Sequence, residues 1–168
     1  MNGTFTDISI SYWVKTTDTL SVTSGVRSGA SNSGYWHYIQ SGGTLQCRFR
    51  DDTPTEIDAV TVATINDGSW HHIVHTVTSG ELKVYVDGVL DVESTTTYAG
   101  DFSITDDIAI GARNANGTID AHFDGTIDEW RMWDRVLTDT EVKMLYYGYD
   151  TTATSYETLT GDLEAYYE

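Results

Sequence analysis

Apolar and polar residues alternate along most of this chain. Between Asp7 and Lys15, Ile8, Ile10, Tyr12 and Val14 fall on one side of an extended strand, and Ser9, Ser11, Trp13 and Lys15 fall on the other. Leu45, Cys47 and Phe49 alternate in the same way with Gln46, Arg48 and Arg50, and Leu82, Val84 and Val86 with Glu81, Lys83 and Tyr85. A period of two marks a strand buried on one face. The Asp87-Gly88 pair after the third run predicts a hairpin, because glycine tolerates the positive φ of a tight primed turn. One segment departs from this pattern. Thr138-Asp139-Thr140-Glu141 reads as a capping box, in which hydroxyl and carboxylate satisfy each other's free backbone amides. It predicts a short helix over 139–147, with Val142, Leu145 and Tyr146 as its buried stripe and Gly148 as its stop. Leu163, Ala165 and Tyr167 alternate again and predict a last strand within 162–168. Strands of this length between Gly, Asn and Asp clusters point to a sandwich.

At 168 residues the chain has the size of one domain and is long enough to bury a core. Nine Lys and Arg stand against 26 Asp and Glu, a formal charge of -17. Such a surface repels phosphate backbones and anionic bilayers, so nucleic acid is not expected as a partner. No run approaches the roughly 20 apolar residues of a membrane span, so membrane insertion is not expected either. Cys47 is the only cysteine, which excludes an internal disulfide and a cysteine zinc cage. Met1-Asn2-Gly3-Thr4 has neither a basic nor an apolar leader character, so no signal peptide is expected in these residues.

Four segments follow one another in a specific order: Asp67-Gly68-Ser69-Trp70-His71-His72-Ile73-Val74, Leu82-Lys83-Val84-Tyr85-Val86-Asp87-Gly88, Ile110-Gly111, and Phe123 through Trp133. Together they resemble the laminin-G-like, concanavalin A-like lectin/glucanase superfamily. Met132-Trp133-Asp134-Arg135-Val136-Leu137, followed by the Thr138 cap, is similar to the pentraxin branch. The resemblance implies an all-β, two-sheet antiparallel jelly-roll sandwich with one short helix near 139–147. Residues 1–148 would form the LamG-like sandwich, 149–161 a Thr- and Ser-rich connector and 162–168 a terminal strand. In many such modules a strand like Leu163-Glu164-Ala165-Tyr166-Tyr167 opens the domain instead of ending it. Here it either closes its own sandwich or pairs with a neighbour.

The resemblance also implies calcium, which needs several oxygen ligands gathered by loops. The matching places hold Ser31-Asn32-Ser33 and Asn114-Ala115-Asn116, followed by Asp120, so Asn32, Asn114, Asn116 and Asp120 are the candidate ligands. Amides replace part of the family's acidic set, which predicts weak binding, and the same residue types also build tight turns. Asp51-Asp52 and Asp106-Asp107 read as solvated strand ends. Strand alternation puts His71 and His75 on the face opposite His72, which argues against a three-histidine zinc site. Glu56-Ile57-Asp58 has the opening of a glucanase motif, yet Ala59, Val60 and Thr61 stand where a second glutamate belongs. The Trp70-His71 pair is expected in core packing. Trp36 and Tyr98, near turns and the calcium loops, are the candidate exposed platforms for a sugar.

These readings converge on a non-catalytic, lectin-like module, extracellular, cell-surface or virion-associated, which binds a glycan or glycoconjugate with calcium assistance. The alternative is an adhesion or decoration module that docks another protein chain through sheet edges or the terminal strand.

Overall fold

The computed structural model describes residues 3–78, 80–96 and 101–148 with their side chains, and residues 163–167 as backbone. The connector expected at 149–161 lies outside the described residues, as does Tyr98.

Two sheets carry the fold. The first has the order β13 (Thr118–Asp120), β12 (Arg113–Ala115), β3 (Ser21–Ser28), β4 (Ser33–Ile39), β5 (Thr44–Arg50), β6 (Glu56–Thr64), with β11 (Ala109–Ile110) also paired to β3 as the seventh strand. The second has the order β15 (Leu163–Tyr167), β14 (Thr126–Trp133), β2 (Ile8–Lys15), β7 (Trp70–Thr78), β8 (Glu81–Val86), β9 (Val89–Thr95). A short ribbon of β1 (Gly3–Phe5) and β10 (Phe102–Ile104) completes the strands. Every pairing is antiparallel except that of β12 with β3. The terminal strand β15 hydrogen-bonds to β14 of its own chain.

The alternating runs form the core as their period requires. Ile8, Ile10, Tyr12 and Val14 meet Val26, Tyr35, Ile39, Leu45, Cys47 and Phe49 across the two sheets. The hairpin at Asp87-Gly88 has φ 52 and φ 77, both positive as the primed turn demands. Strand β2 is covered on its other face as well. Ser9 is fully buried there, its hydroxyl donating to the Arg135 carbonyl at 2.6 Å and accepting from the Leu137 amide at 2.9 Å. That contact fixes the turn leading into α1 (Asp139–Tyr147), which packs Val142 against Val74, Tyr85, Trp133 and Leu137. The capping box is formed: Thr138 Oγ1 accepts from the Glu141 amide, and the Glu141 carboxylate accepts from the Thr138 amide at 2.7 Å and pairs with Arg135 at 2.8 Å.

Two expectations are corrected. Trp70 is 41% exposed, because it lies opposite Lys15 at the end of β7, past the core. Asp51 is buried and caps a loop, accepting from the amides of Thr53 and Thr55 at 2.9 and 2.8 Å.

The core also holds an aromatic polar pair. His37 on β4 and His75 on β7 stack with ring centroids 3.8 Å apart, and Tyr12 lies 5.9 Å from each. All four ring nitrogens of the pair lack a hydrogen-bond partner among the described residues. Burial pushes His75 down to about 3, and burial followed by the neighbouring His75 holds His37 well below its ordinary value. His72, 3.0 Å from the Ser11 hydroxyl, is held down to about 4, chiefly by burial.

An unfolded histidine titrates near 6.5, so from there down to about 3 the unfolded chain binds protons that the folded chain refuses. The stability that depends on these three buried histidines staying neutral is therefore complete above pH 6.5 and falls as the pH falls. For His75 alone the loss reaches on the order of 2 to 3 kcal/mol near pH 4.5. Denaturant unfolding at neutral pH and near pH 5 should show this drop, and His75→Leu should shrink it; a drop of the same size in the variant would refute the assignment. At the helix entry, Ser9→Ala strips the buried Leu137 amide of its acceptor and should cost about 1 to 3 kcal/mol by the same assay.

Candidate binding face on the seven-stranded sheet

The side chains that alternate with the core residues of β3, β4, β5 and β6 form the outer face of the seven-stranded sheet, and strand register aligns them in two rows. The first row crosses six strands as Asp120, Arg113, Gly25, Trp36, Arg48, Asp58. The second runs as Ala115, Arg27, Gly34, Arg50, Glu56. Each row has a glycine in its middle. At Gly25 a Cβ would stand 2.9 Å from the Trp36 Cβ, so glycine there makes room for the indole. At Gly34, φ is 138 and a Cβ would meet the Val26 carbonyl oxygen at 2.2 Å, so no other residue fits.

Trp36 organises the face. The guanidinium carbons of Arg27 and Arg48 lie 5.1 and 5.4 Å from its ring centroid, arriving from the strands on either side. A ring quadrupole attracts cations at this range. Trp36 is only 7% exposed as a result, which corrects the expectation of an open aromatic platform. Its ring is roofed by cations.

Among the described residues, four guanidinium groups share this face with three carboxylates. Arg50 pairs with Glu56 at 3.0 Å, and Arg48 reaches Glu56 at 3.6 Å and Asp58 at 3.5 Å. Gln46 donates to Asp58 at 2.7 Å. Arg113 holds Asp120 through two bonds of 2.8 and 2.7 Å, and this contact holds the Asp120 carboxyl below the usual carboxylate range. Arg27 forms no ion pair or side-chain hydrogen bond among the described residues. Its pKa is lowered, first by burial and then by the like charges of Arg113 and Arg50, which outweigh Glu56 and Asp120.

The residues of the expected calcium set are divided among other partners. Asn32 and Asn116 do come together, but they bond to each other, the Asn116 amide donating to Asn32 Oδ1 at 2.8 Å. Both have positive φ, 53 and 51, which is the turn-forming use of asparagine. Asn114 points inward, donating to the Asp107 carbonyl at 2.8 Å and accepting from the Gly117 amide at 2.9 Å. Asp120, the one carboxylate of the set, belongs to Arg113. No cluster of three His, Cys, Asp or Glu with metal-binding geometry occurs among the described residues. A cleft of about 570 Å³ beside Asn114 is lined by Asp106, Asp107, Ile108 and Gly117.

The remaining candidates resolve locally. His71 lies 2.9 Å from Asp87 and 3.2 Å from Asp67, and these partners raise its pKa against the opposing effect of burial. His72 and His75 occupy separate buried environments. On β6, Glu56 and Asp58 project outward into arginines, and the next outward position is Val60.

Arg27, Arg50 and Arg113 are functional candidates that sequence reasoning passed over. The signal was present: five of six arginines fall in segments that alternate against buried residues, in a chain of charge -17.

The chain matches the family model described as the concanavalin A-like lectin/glucanases superfamily over residues 2–143. No curated protein matches it by sequence. Among solved structures it is similar to the native heptameric SAP-like pentraxin from Limulus polyphemus, at 16% identity and a TM-score of 0.71, over 86% of this chain and 71% of that one. It is also similar to the CBM40 of the Ruminococcus gnavus IT-sialidase bound to alpha2,3 sialyllactose, at 19% identity and a TM-score of 0.68, over 84% and 83% of the two chains. A third likeness is to the botulinum neurotoxin serotype D ligand binding domain in complex with N-acetylneuraminic acid, at 17% identity and a TM-score of 0.67. It covers 88% of this chain and 37% of that one, so this chain spans little more than a third of that domain. At such identities the likeness fixes the fold, a jelly-roll sandwich.

Because Asn32, Asn114 and Asp120 already use side-chain oxygens within the protein, melting curves in millimolar calcium and in chelator should agree within about 1 °C. A calcium-dependent rise of several degrees that Asp120→Asn abolishes would overturn this.

Proposed function

Since the chain belongs to the concanavalin A-like lectin/glucanases superfamily, we propose that it is a non-catalytic carbohydrate-binding module that binds through the outer face of its seven-stranded sheet. The observation that carries this reading is Trp36 roofed by Arg27 and Arg48, with Gln46 and Asp58 alongside. Guanidinium forks donate to pairs of adjacent oxygens, and amide and carboxylate groups complete the hydroxyl partners a pyranose needs. The solved relatives that hold sialyllactose and N-acetylneuraminic acid support a glycan or glycoconjugate as the partner class. A surface or extracellular setting, where glycans are displayed, goes with this reading.

The non-catalytic part of the reading rests on β6. A retaining glycosidase needs two carboxyl groups about 5 to 5.5 Å apart, one of them free to move a proton. Glu56 and Asp58 are instead tied to arginines, and Val60 follows them on the same face.

A rival reading has one feature in its favour. Along the side where β6 packs on β9, Val62 is 80% exposed, Val89 63% and Leu90 44%, an apolar edge of the kind that docks a protein chain. An immobilised glycan panel separates the two. Wild type should bind, Trp36→Ala and Arg48→Gln should each weaken binding about tenfold or more, and Val62→Lys should leave it unchanged. Melting curves confirm that the variants are folded. A folded chain that binds no glycan, yet self-associates in a manner lost with Val62→Lys, would move the function to protein docking.

A further inference from the structure

Resting on that reading of the outer face, we infer that the group recognised is an anion, the carboxylate of an acidic sugar, and that it is held over Gly34 between Arg27 and Arg50. The first support is the charge pattern. The carboxylates sit at the ends of the rows, where Asp120, Asp58 and Glu56 hold Arg113, Arg48 and Arg50. Among the described residues no carboxylate pairs with Arg27 in the middle, and the attraction of Glu56 and Asp120 is outweighed there by the like charges of Arg113 and Arg50. A ligand carboxylate supplies the missing partner, and a guanidinium takes it with two parallel bonds.

The second support is the space. Gly34 separates Arg27 from Arg50 along the row and, by its backbone, excludes any side chain from that place. The two arginine backbones are therefore two strand spacings apart, about 10 Å, with bare main chain between them. Arginine side chains are long enough to reach one small anion across that gap, and Arg50 is near enough to act on Arg27 as a like charge. The Arg48 guanidinium lies over Trp36 and reaches Glu56 and Asp58 at 3.6 and 3.5 Å, and its remaining N–H groups would serve the sugar's hydroxyls.

The third support is preorganisation. Arg27 is half-buried and its guanidinium packs on Trp36, so part of its hydration and rotamer freedom is gone before a ligand arrives. Less ordering is then required on binding. The rest of the molecule restricts which anions qualify. A chain of net charge -17 repels an extended polyanion at range, whereas a single carboxylate meets the local excess of guanidinium. The ligand is thus a sugar bearing one or a few carboxylates and not a sulfated polymer.

The test uses the purified full chain on sensors carrying matched pairs: sialyllactose and lactose, a glucuronic acid oligosaccharide and its glucose counterpart, and each acid as its methyl ester. Heparin and polyglutamate surfaces are run beside them. At least one acidic sugar should bind about tenfold or more tighter than its neutral and esterified partners. Arg27→Gln and Arg50→Gln should each remove that preference while residual binding to the neutral partner persists, with melting temperatures close to wild type. Equal binding to acidic and neutral sugars that remains sensitive to Arg48→Gln would overturn the anion inference and leave the lectin reading standing. A stronger response to heparin or polyglutamate than to every acidic sugar would also overturn it, in favour of a polyanion or an acidic protein segment. Binding to none of these surfaces by a folded chain would overturn both readings.

Discussion

A one-residue slip in the pairing of β3, β4 and β5 would turn Trp36 into the core and Tyr35 out to solvent, and every arginine of the outer face would change sides with them. The register is held from within. The Tyr12 hydroxyl crosses between the sheets to lie 2.9 Å from the Thr23 hydroxyl, and the Tyr35 hydroxyl lies 3.0 Å from that of Ser24. Phe49 packs its ring against Tyr35 and against Phe102 on the ribbon. Gly34 adds a main-chain constraint, since its approach to the Val26 carbonyl admits no side chain. Inner packing thereby decides which residues stand in line outside, and the rows of the outer face inherit their precision from the core.

The same sheet separates charge. Trp36 lets two guanidinium groups approach each other, because the π face offsets part of their repulsion. Carboxylates at the ends of the rows anchor the outer arginines. What is left is a central positive area on an acidic molecule, and it is sheltered from the long-range field by the Debye length of physiological salt, about 8 Å. Close contacts on this face are therefore governed by its own groups more than by the distant carboxylates.

The alternation of Ile8 to Val14, Leu45 to Phe49 and Leu82 to Val86 was enough to read the strands, the sandwich and the Asp87-Gly88 hairpin, because each depends on neighbours in sequence. The capping box and helix were legible for the same reason. The outer face was legible only in part. Alternation put Arg48 and Arg50 outside, but the meeting of Arg27 and Arg48 over Trp36 depends on cross-strand register, which no single strand displays. Trp36 was misread as open because its cover comes from two other strands. Part of the calcium set has local partners: Arg113 and Asp120 face each other across the Asn116-Gly117 turn, an ion pair readable from the hairpin they flank.

A loop-borne metal site and a sheet-borne arginine site solve recognition differently. Loops gather oxygen ligands around an ion whose binding energy then orders them, so specificity is bound up with the metal. A sheet holds its donors in place through main-chain hydrogen bonds and side-chain packing before any ligand arrives. In this chain the loop asparagines spend their amides on turn formation, while β3, β4 and β5 present guanidinium groups over a nearly buried indole. Shallow contact with a sugar gains little from burying area, so the donors' positions must be set in advance for recognition to be selective. That requirement is met by the sheet and not by the loops, which is the physical reason to look for the ligand on the face of the sandwich and not at its rim.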